Sequence, residues 1–393
     1  MYYLNDLGVL CTLGIDKEQI VDALLTRDRD IPLQENIFSS WGDQYVGSIH
    51  AILPELPSRL ERFDCRNNRL ALAALEQLRP ALDEAITRYG KNRIGVVMGT
   101  STSGIAATEE AVLAIAQKGV YPPGYHAVRG VLGGLGEFVG AYLGITGPVS
   151  TVSTACSSSG NAVLSARRLL NLGVCDAVVV GGVDSLCELT LRGFGALEAL
   201  SSGYCKPLTA DRDGINIGEA AAIFLLSREP HGARFIGGAA SSDAYHISAP
   251  HPQGEGAIQA MQGALLDGAI SASEVDYLNL HGTGTPHNDS MECAAVARLF
   301  GGTTPCSSTK ALTGHTLGAA SALELALCWL LLNHKTHWRL PPALHTGEVD
   351  PKLAAVRLAG VGDDLACHPT ICMSNSFAFG GSNVSLLIGG CDD

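Results

Sequence analysis

Hydrophobic positions along the chain fall into short blocks of two alternating kinds. Residues 148–154 (PVSTVST) are β-branched and predict a strand. Residues 157–172 put Val163, Ala166, Leu169 and Leu170 on one face and predict an amphipathic helix, which Gly173 stops. Residues 177–180 (AVVV) are wholly apolar, as in a strand buried on both faces of a parallel sheet. These three blocks predict a β-α-β unit, and parallel strands joined by helices imply an α/β fold. The grammar returns with a strand at 220–226, a helix at 259–266, a strand at 277–280 and a helix at 289–300, where Asp289 and Glu292 stand at the spacing of a helix-capping pair. Residues 318–332 predict a strongly apolar helix, and 384–388 a last strand after a glycine-rich turn. The two runs meet near 228–232, so two α/β halves are expected, residues 1–228 and 229–393.

Composition narrows the class. With 46% hydrophobic and 17% charged residues the chain is not disordered. No apolar run reaches the ~18 residues a membrane helix needs; the run at 325–332 is bounded by Glu324 and Asn333. Against 39 Asp+Glu stand only 26 Lys+Arg, a net charge of −13, which excludes nucleic acid as the main partner. The opening MYYLND is not a signal peptide, so a cytoplasmic protein is expected, with its twelve cysteines as thiols. No CxxC pair occurs, and Cys367 and Cys372 with His368 between them lack a second ligand pair, so no metal is expected. There is no P-loop and no GxGxxG opening a helix. Glycine, at 46 residues in 393, exceeds the usual share of about 7%, which predicts sharp turns and close backbone approach.

The chemistry gathers at strand ends. Cys156 lies in TACSSSG, on the connection from the strand at 148–154 into the following helix. A thiol there meets the positive end of a helix and free N–H groups, which are expected to lower its pKa from about 8.5 and to hold an oxyanion. His281 closes the strand at 277–280 and opens HGTGTP; His315 lies in KALTGHTLGAAS, five residues after Lys310. In α/β sheets ligands gather beyond the carboxyl ends of strands, where Cys156 and His281 both fall. His246, His287, His334 and His337 are expected to be structural.

The segments STACSSSG, ADRDG, SSDAYH, HGTGTP followed by Asp289, KALTGHTLGAAS and SNSFAFGGSN stand in the order and spacing of the β-ketoacyl-acyl-carrier-protein synthases. The chain resembles that family, in its Cys-His-His group, over nearly its whole length. The resemblance implies a thiolase-like fold, two similar halves forming a five-layered α/β/α/β/α core. It implies an elongating acyltransferase of fatty acid or polyketide synthesis that binds no cofactor of its own and meets its substrates on the phosphopantetheine arm of an acyl carrier protein.

Residue by residue, Cys156 resembles the acyl-accepting nucleophile. His281 and His315 resemble the histidines that polarise the malonyl thioester and stabilise its enolate. Lys310 resembles the lysine that holds the histidine region, and Glu324 its acidic partner. Thr283 and Thr285 match threonines that bind the phosphopantetheine arm. Phe379 matches an aromatic gate, and the N–H groups of Cys156 and Phe379 match the oxyanion hole. Phe377 is expected to pack in the core, Asp289 and Glu292 to cap a helix, and Asp211, Arg212 and Asp213 to form a structural ion-pair turn. Arg59, Arg62 and Lys206 fall where the family contacts its carrier protein; Arg66 and Arg69 share the basic stretch with the first two.

Some features depart from the pattern. Ala378 replaces a common glycine, which would stiffen the gate. The opening strand is shorter and more polar, with Asn5 and Asp6 after Leu4. Thr102 stands where housekeeping members carry a bulky apolar pocket residue, and a small polar side chain there would admit an unusual acyl group. With the opening YYLNDLGVLCTLG, these features look more like the ketosynthases of aryl-polyene pathways. The resemblance implies a homodimer, or a heterodimer with a chain-length-factor homologue. A ketosynthase subunit active only in that heterodimer, and a non-catalytic partner subunit, remain the alternatives; the presence of Cys156 weighs against the second. Thiolases fit poorly, since they use a second cysteine near the C-terminal glycine-rich loop. So do the synthases that start chains from acyl-CoA, which carry asparagine where His315 stands.

Overall fold

Side-chain alternation along the buried strands decides how the layers stack. The computed structural model describes residues 1–26, 30–35, 44–334, 339–343, 347–360, 365 and 368–391; His337 and Cys367 lie outside them. Among the described residues, eleven strands form one mixed sheet: β1 (Tyr2–Leu10), β2 (Ile94–Gly99), β3 (Val149–Val152), β4 (Ala177–Asp184), β5 (Ala220–Ser227), β6 (Ala233–Ser242), β7 (Tyr277–Asn279), β8 (Pro305–Ser307), β9 (Arg357–Leu358), β10 (Ile371–Phe377) and β11 (Ser382–Gly390). The helices that carry the layers are α1 (Arg66–Gln77), α2 (Gly134–Leu143), α3 (Ser158–Asn171), α4 (Glu255–Gly268), α5 (Pro286–Phe300) and α6 (Ala320–Asn333).

The spatial order is β9-β8-β7-β10-β11-β6-β1-β5-β4-β2-β3. Each half repeats one pattern outward from the join: its first strand, its last, its penultimate, then its second and third, with β9 added at the far edge. Topology thus displays a duplication that residue identity between the halves is too weak to show. The halves are stitched by β1 and β6, which pair antiparallel through Tyr2 with Phe235, Tyr3 with Arg234 and Leu4 with Ala233.

Every residue of β4 and β5 is buried. Val178, Val180, Ala222 and Phe224 face one core, and Ala177, Val179, Ala221 and Ile223 face another, the period-two signature of a sheet covered on both sides. The first core also holds Val163 and Leu170 of α3, Leu323 and Leu327 of α6, and Val384, Leu386 and Ile388 of β11. On the outer faces, α1 and α2 cover the first half, while α4 and α5 cover the second. Helices, sheet, central helices, sheet and helices make the five layers. α6 is apolar all round because it lies between both halves, with thirteen of its fourteen residues buried.

The expected β-α-β unit is present, with a strand inserted that the pattern reading passed over. β3 and β4 do not touch; β2 (IGVVMG) lies between them, parallel to both. The polar start of β1 does not shorten it. Asn5 falls at a register shift between Leu4 and Asp6, and its amide donates to Glu229 O and His231 O. No helix among the described residues is long and apolar enough to cross a membrane.

Close approach at glycine holds the central layer. A Cβ on Gly182 of β4 would sit 2.6 Å from Ser159 Cβ and 2.9 Å from Ala319 Cα, between the starts of α3 and α6. Gly182→Ala is therefore expected to destabilise the fold by about 1–3 kcal/mol through overpacking, read as a lower midpoint in denaturant unfolding.

Candidate active site

Three loop ends converge on one cavity of about 360 Å³. Cys156 reaches it from the β3–α3 connection, where Ala155 has a φ of +53°, in the left-handed region. The serine run exists to hold this turn. Ser157 Oγ donates to Thr154 O at 2.8 Å, Ser158 Oγ to Ala155 O at 2.5 Å, and Thr154 N to Ser158 Oγ at 2.9 Å. Gly160 lets β11 and α6 close over the helix start, since a Cβ there would lie 2.6 Å from Val384 Cγ1.

His281 follows β7, and its loop is bound by a buried carboxylate. Glu292 of α5 accepts the backbone N–H of His281 at 2.8 Å and of Gly282 at 2.7 Å. Asp289 accepts Leu208 N at 2.8 Å and Gly284 N at 3.2 Å. The expected capping role is therefore corrected. α5 begins at Pro286, so Asp289 and Glu292 lie inside it, fully buried, and hold the loops that line the cavity. Thr283 and Thr285 line the cavity with their hydroxyls 2.9 Å apart.

His315 sits after the single helical turn Lys310–Thr313, anchored on both sides by backbone: His315 N donates to Asn216 O at 2.6 Å, and Gly218 N to His315 O at 2.9 Å. Its Nε2 lies 2.9 Å from Cys156 Sγ, and its ring meets that of His281 edge-on at 5.4 Å. Lys310, only 1% exposed, pairs with Glu324 of α6 and donates to His281 O at 2.5 Å, with His281 Nδ1 at 3.4 Å. The structure thus brings together Cys156, His281, His315, Lys310 and Glu324.

Burial dominates the electrostatics. The Cys156 thiol is pushed up to about 12 by desolvation, which outweighs the lowering by Lys310 and by the N–H groups of Phe379 and of Cys156 itself. The expectation of a thiol acidified by the helix start is thus corrected: the donors are present, but losing water costs the thiolate more than they return. Desolvation and the nearby Lys310 charge hold both His281 and His315 well below the usual imidazole value, hence neutral near pH 7. Glu292 and Glu324 are pushed up to about 7, again by burial. The surrounding N–H groups point donors at the sulfur, and His315 Nε2 lies within hydrogen-bond distance of it. Sγ and the two imidazoles also place one ligand atom each within 4.8 Å of one another, a donor set that a soft divalent cation can use.

Other expectations meet mixed outcomes. Phe379 lines the cavity against Phe194, with ring centroids 5.7 Å apart, and Phe377 both packs in the core and lines the cavity. Thr102 does not line it: its N–H and hydroxyl both donate to Asp184 at 2.8 Å, so the expected effect on acyl selection has no contact to act through. His246 and His287, expected to be structural, do line it; membership of His246 in the SSDAYH motif was the available signal. The ADRDG turn does carry ion pairs, with partners outside the motif. Arg212 bonds Asp350 at 2.7 Å, Lys206 bonds Asp211 at 2.5 Å, and Asp213 accepts Ser201 Oγ at 2.6 Å. Arg59 donates to Ala141 O and Tyr142 O at the end of α2, and Arg62 stacks on Phe63. Arg66 pairs with Glu219, and Arg69 with Asp64.

A family model described as β-ketoacyl synthase, N-terminal domain, matches residues 56–231, and its C-terminal counterpart matches residues 233–346. Nodulation protein E of Rhizobium leguminosarum bv. trifolii is 34% identical over 340 residues, 83% of this chain and 82% of its own. The 3-oxoacyl-[acyl-carrier-protein] synthase 2 of Rhizobium meliloti (strain 1021) is 38% identical over 265 residues, 62% of this chain and 61% of its own. Among solved structures, a ketosynthase in complex with its chain length factor from Xenorhabdus doucetiae is 44% identical with a TM-score of 0.93, covering 99% of this chain and 98% of the other.

The site carries a pH signature. If the imidazole of His315 takes the thiol proton within the pair, iodoacetamide alkylation of Cys156 is expected to vary less than about twofold between pH 6.5 and 8. Both groups then titrate outside that window, the imidazole below it and the thiol above. His315→Ala removes the imidazole and leaves a thiol that burial still holds above its usual value, so the rate is expected to fall at pH 7 and to climb about tenfold per pH unit, which peptide mass spectrometry of the alkylated site measures.

Proposed function

The chain belongs to the β-ketoacyl synthase family, and from that membership we propose how its residues divide an elongating condensation. Such enzymes are acyltransferases that receive their substrates on the phosphopantetheine arm of an acyl carrier protein and use no separate cofactor. The observation that carries the assignment is the 2.9 Å contact of His315 Nε2 with Cys156 Sγ, beside His281 in a single buried cavity.

In the first half-reaction the sulfur of Cys156 attacks the acyl thioester as its proton passes to His315. The oxyanion is held by the N–H groups of Cys156 and Phe379, and collapse expels the pantetheine thiol, which takes the proton back. Thr283 and Thr285 hold the arm along the cavity wall, and Phe379 gates its inner end. In the second, malonyl-carrier protein enters and loses CO₂. The carbonyl oxygen of its enolate accepts hydrogen bonds from His281 and from His315, the latter in the tautomer with its proton on Nε2, reached by exchange with water once acylation has freed that nitrogen from the thiol. Lys310, tied to His281 O and to Glu324, keeps that imidazole placed. The enolate carbon attacks acyl-Cys156, forming the new C–C bond as the C–S bond breaks; the sulfur leaves as the thiolate, and a proton from solvent restores the thiol when the product departs. Dry surroundings strengthen each of these charge interactions.

The reading extends to partners and place. Carrier protein docks near Arg59, Arg62 and Lys206; the first two are exposed and the third half-buried against Asp211, all three outside the cavity, which supports the assignment. Exposed Val112 and Leu113 on the helix Ile105–Lys118, with Val131, Val149 and Leu189, offer a dimer face, and the solved neighbour with a chain length factor favours a heterodimer. The substrate reading is a specialised polyketide or aryl-polyene chain, supported by the opening residues. Cytoplasmic residence fits cysteines such as Cys156, Cys175 and Cys293, which stand outside any disulfide.

Intact-protein mass spectrometry after incubation with acyl-carrier protein tests the whole scheme, with the chain alone and with a chain-length-factor homologue. An acyl adduct is expected, absent in Cys156→Ala and converted to β-ketoacyl product with CO₂ release when malonyl-carrier protein is added. If the native chain stays unloaded with and without the second subunit, the assignment fails; loading only with it selects the obligate heterodimer.

A further inference from the structure

Cys156 and His315 come from different halves of the molecule, 159 residues apart, yet their reacting atoms must stay at 2.9 Å. Both stand beside backbone in the left-handed region: Ala155, before the thiol, has a φ of +53°, and Leu317, two residues after the imidazole, has a φ of +51°. Such residues carry strain that persists only where the surroundings over-determine it. The group placed to do so is Asp184, at the end of β4, with no exposed surface.

Its Oδ1 accepts from Thr100 Oγ1 at 2.5 Å and from the N–H and hydroxyl of Thr102 at 2.8 Å each. Ser101 N reaches both oxygens, at 2.9 and 3.0 Å. Oδ2 turns to the other half and accepts Ala319 N at 3.1 Å, where α6 begins. A carboxylate at a helix start is favoured by the helix dipole, and no lysine or arginine among the described residues pairs with it. The contacts continue to the reacting groups. Ser101 Oγ donates to Ala155 O at 3.3 Å, directly behind the thiol, while Ala319 belongs to the turn Leu317–Ala319 that follows His315. Gly318 makes the approach possible, since a Cβ there would lie 2.6 Å from Ser101 N and 2.7 Å from Asp184 Oδ2.

We propose that Asp184 is a positioning residue for the condensation: it sets the Cys156 to His315 separation by fastening the turn behind the nucleophile to the helix start behind the histidine. It touches neither substrate nor reacting atom. The inference rests on the pairing of Cys156 with His315 set out above.

The test is Asp184→Asn in the full chain, with its partner subunit if one is needed for activity. An amide nitrogen in place of Oδ2 would face Ala319 N–H donor to donor, whereas the carbonyl oxygen keeps the three donors on Thr100 and Thr102. The substitution therefore cuts the link between halves and spares the turn within one of them. The expected result is a thermal midpoint within a few degrees of the parent, acyl transfer slowed at least tenfold, and a Cys156 alkylation profile that changes from flat to rising with pH, as in His315→Ala. A native rate and a flat profile would overturn the proposal. So would a slower rate with the profile still flat, which marks a loss of folded protein. If Asp184→Asn does not fold, Ser101→Ala removes only the hydroxyl that reaches Ala155 O, and a native rate there overturns the proposal equally. Should His315→Ala itself leave alkylation unchanged, the failure lies in the Cys156–His315 reading and not in Asp184.

Discussion

Removal of water at the junction of the two halves is the constraint on which everything else in this molecule rests. It drives the thiol of Cys156 upward and both imidazoles downward, so that the resting site is an assembly of neutral groups. What charge remains sits on Lys310 with Glu324 and on carboxyl groups wrapped in N–H donors, and burial pushes even Glu324 and Glu292 up to about 7. A lone charge at such depth costs several kcal/mol, which is why α6, otherwise apolar, carries Glu324 opposite Lys310. The same dryness that makes the thiolate expensive at rest strengthens every hydrogen bond to an oxyanion or enolate once one forms.

Backbone economy makes that junction reachable. Serine hydroxyls stand in for helix partners around Cys156, glycines at 160, 182 and 318 let strands and helix starts approach within side-chain contact distance, and Asp184, Asp289 and Glu292 gather loop N–H groups into fixed directions. Asp184, Asp289 and Glu292 are each shared between loops, and each such shared group removes a way for the site to drift.

Much of this was legible in the residues. The strands near 149–152, 177–184, 220–227, 277–279 and 382–390 and helices α3 to α6 followed from periodicity, whereas β6, β8, β9 and β10 did not; Cys156, His281 and His315 stood out at strand and helix ends, and the resemblance added Lys310. What was not legible depends on distance in space. β2 lies between two strands that look adjacent in sequence. Glu292 and Asp289 carry a capping spacing, yet Pro286 starts their helix earlier and turns both inward. The sign of the thiol shift could not be read, since a sequence shows the helix start but not the depth at which it lies. Asp184 ends an apolar strand in a way that any surface turn would share. Thr102 looked like a pocket residue until its hydroxyl was seen bound to that carboxylate.

The place of β1 has a consequence for synthesis. The nine-residue strand β1 pairs with residues 221–227 on one side and 233–235 on the other, so Tyr2–Leu10 is the seam of the finished sheet. At 5–20 residues per second a ribosome needs on the order of tens of seconds to deliver those partners, during which Tyr2–Leu10 has no strand to join. Contacts of such long sequence separation are slow to form. The polar bulge at Asn5 and Asp6, which interrupts an otherwise apolar strand, is suited to that wait: it breaks the flat hydrophobic edge that would recruit a strand from another chain, and it becomes ordinary sheet only when the loop at Glu229 and His231 arrives to receive the Asn5 amide.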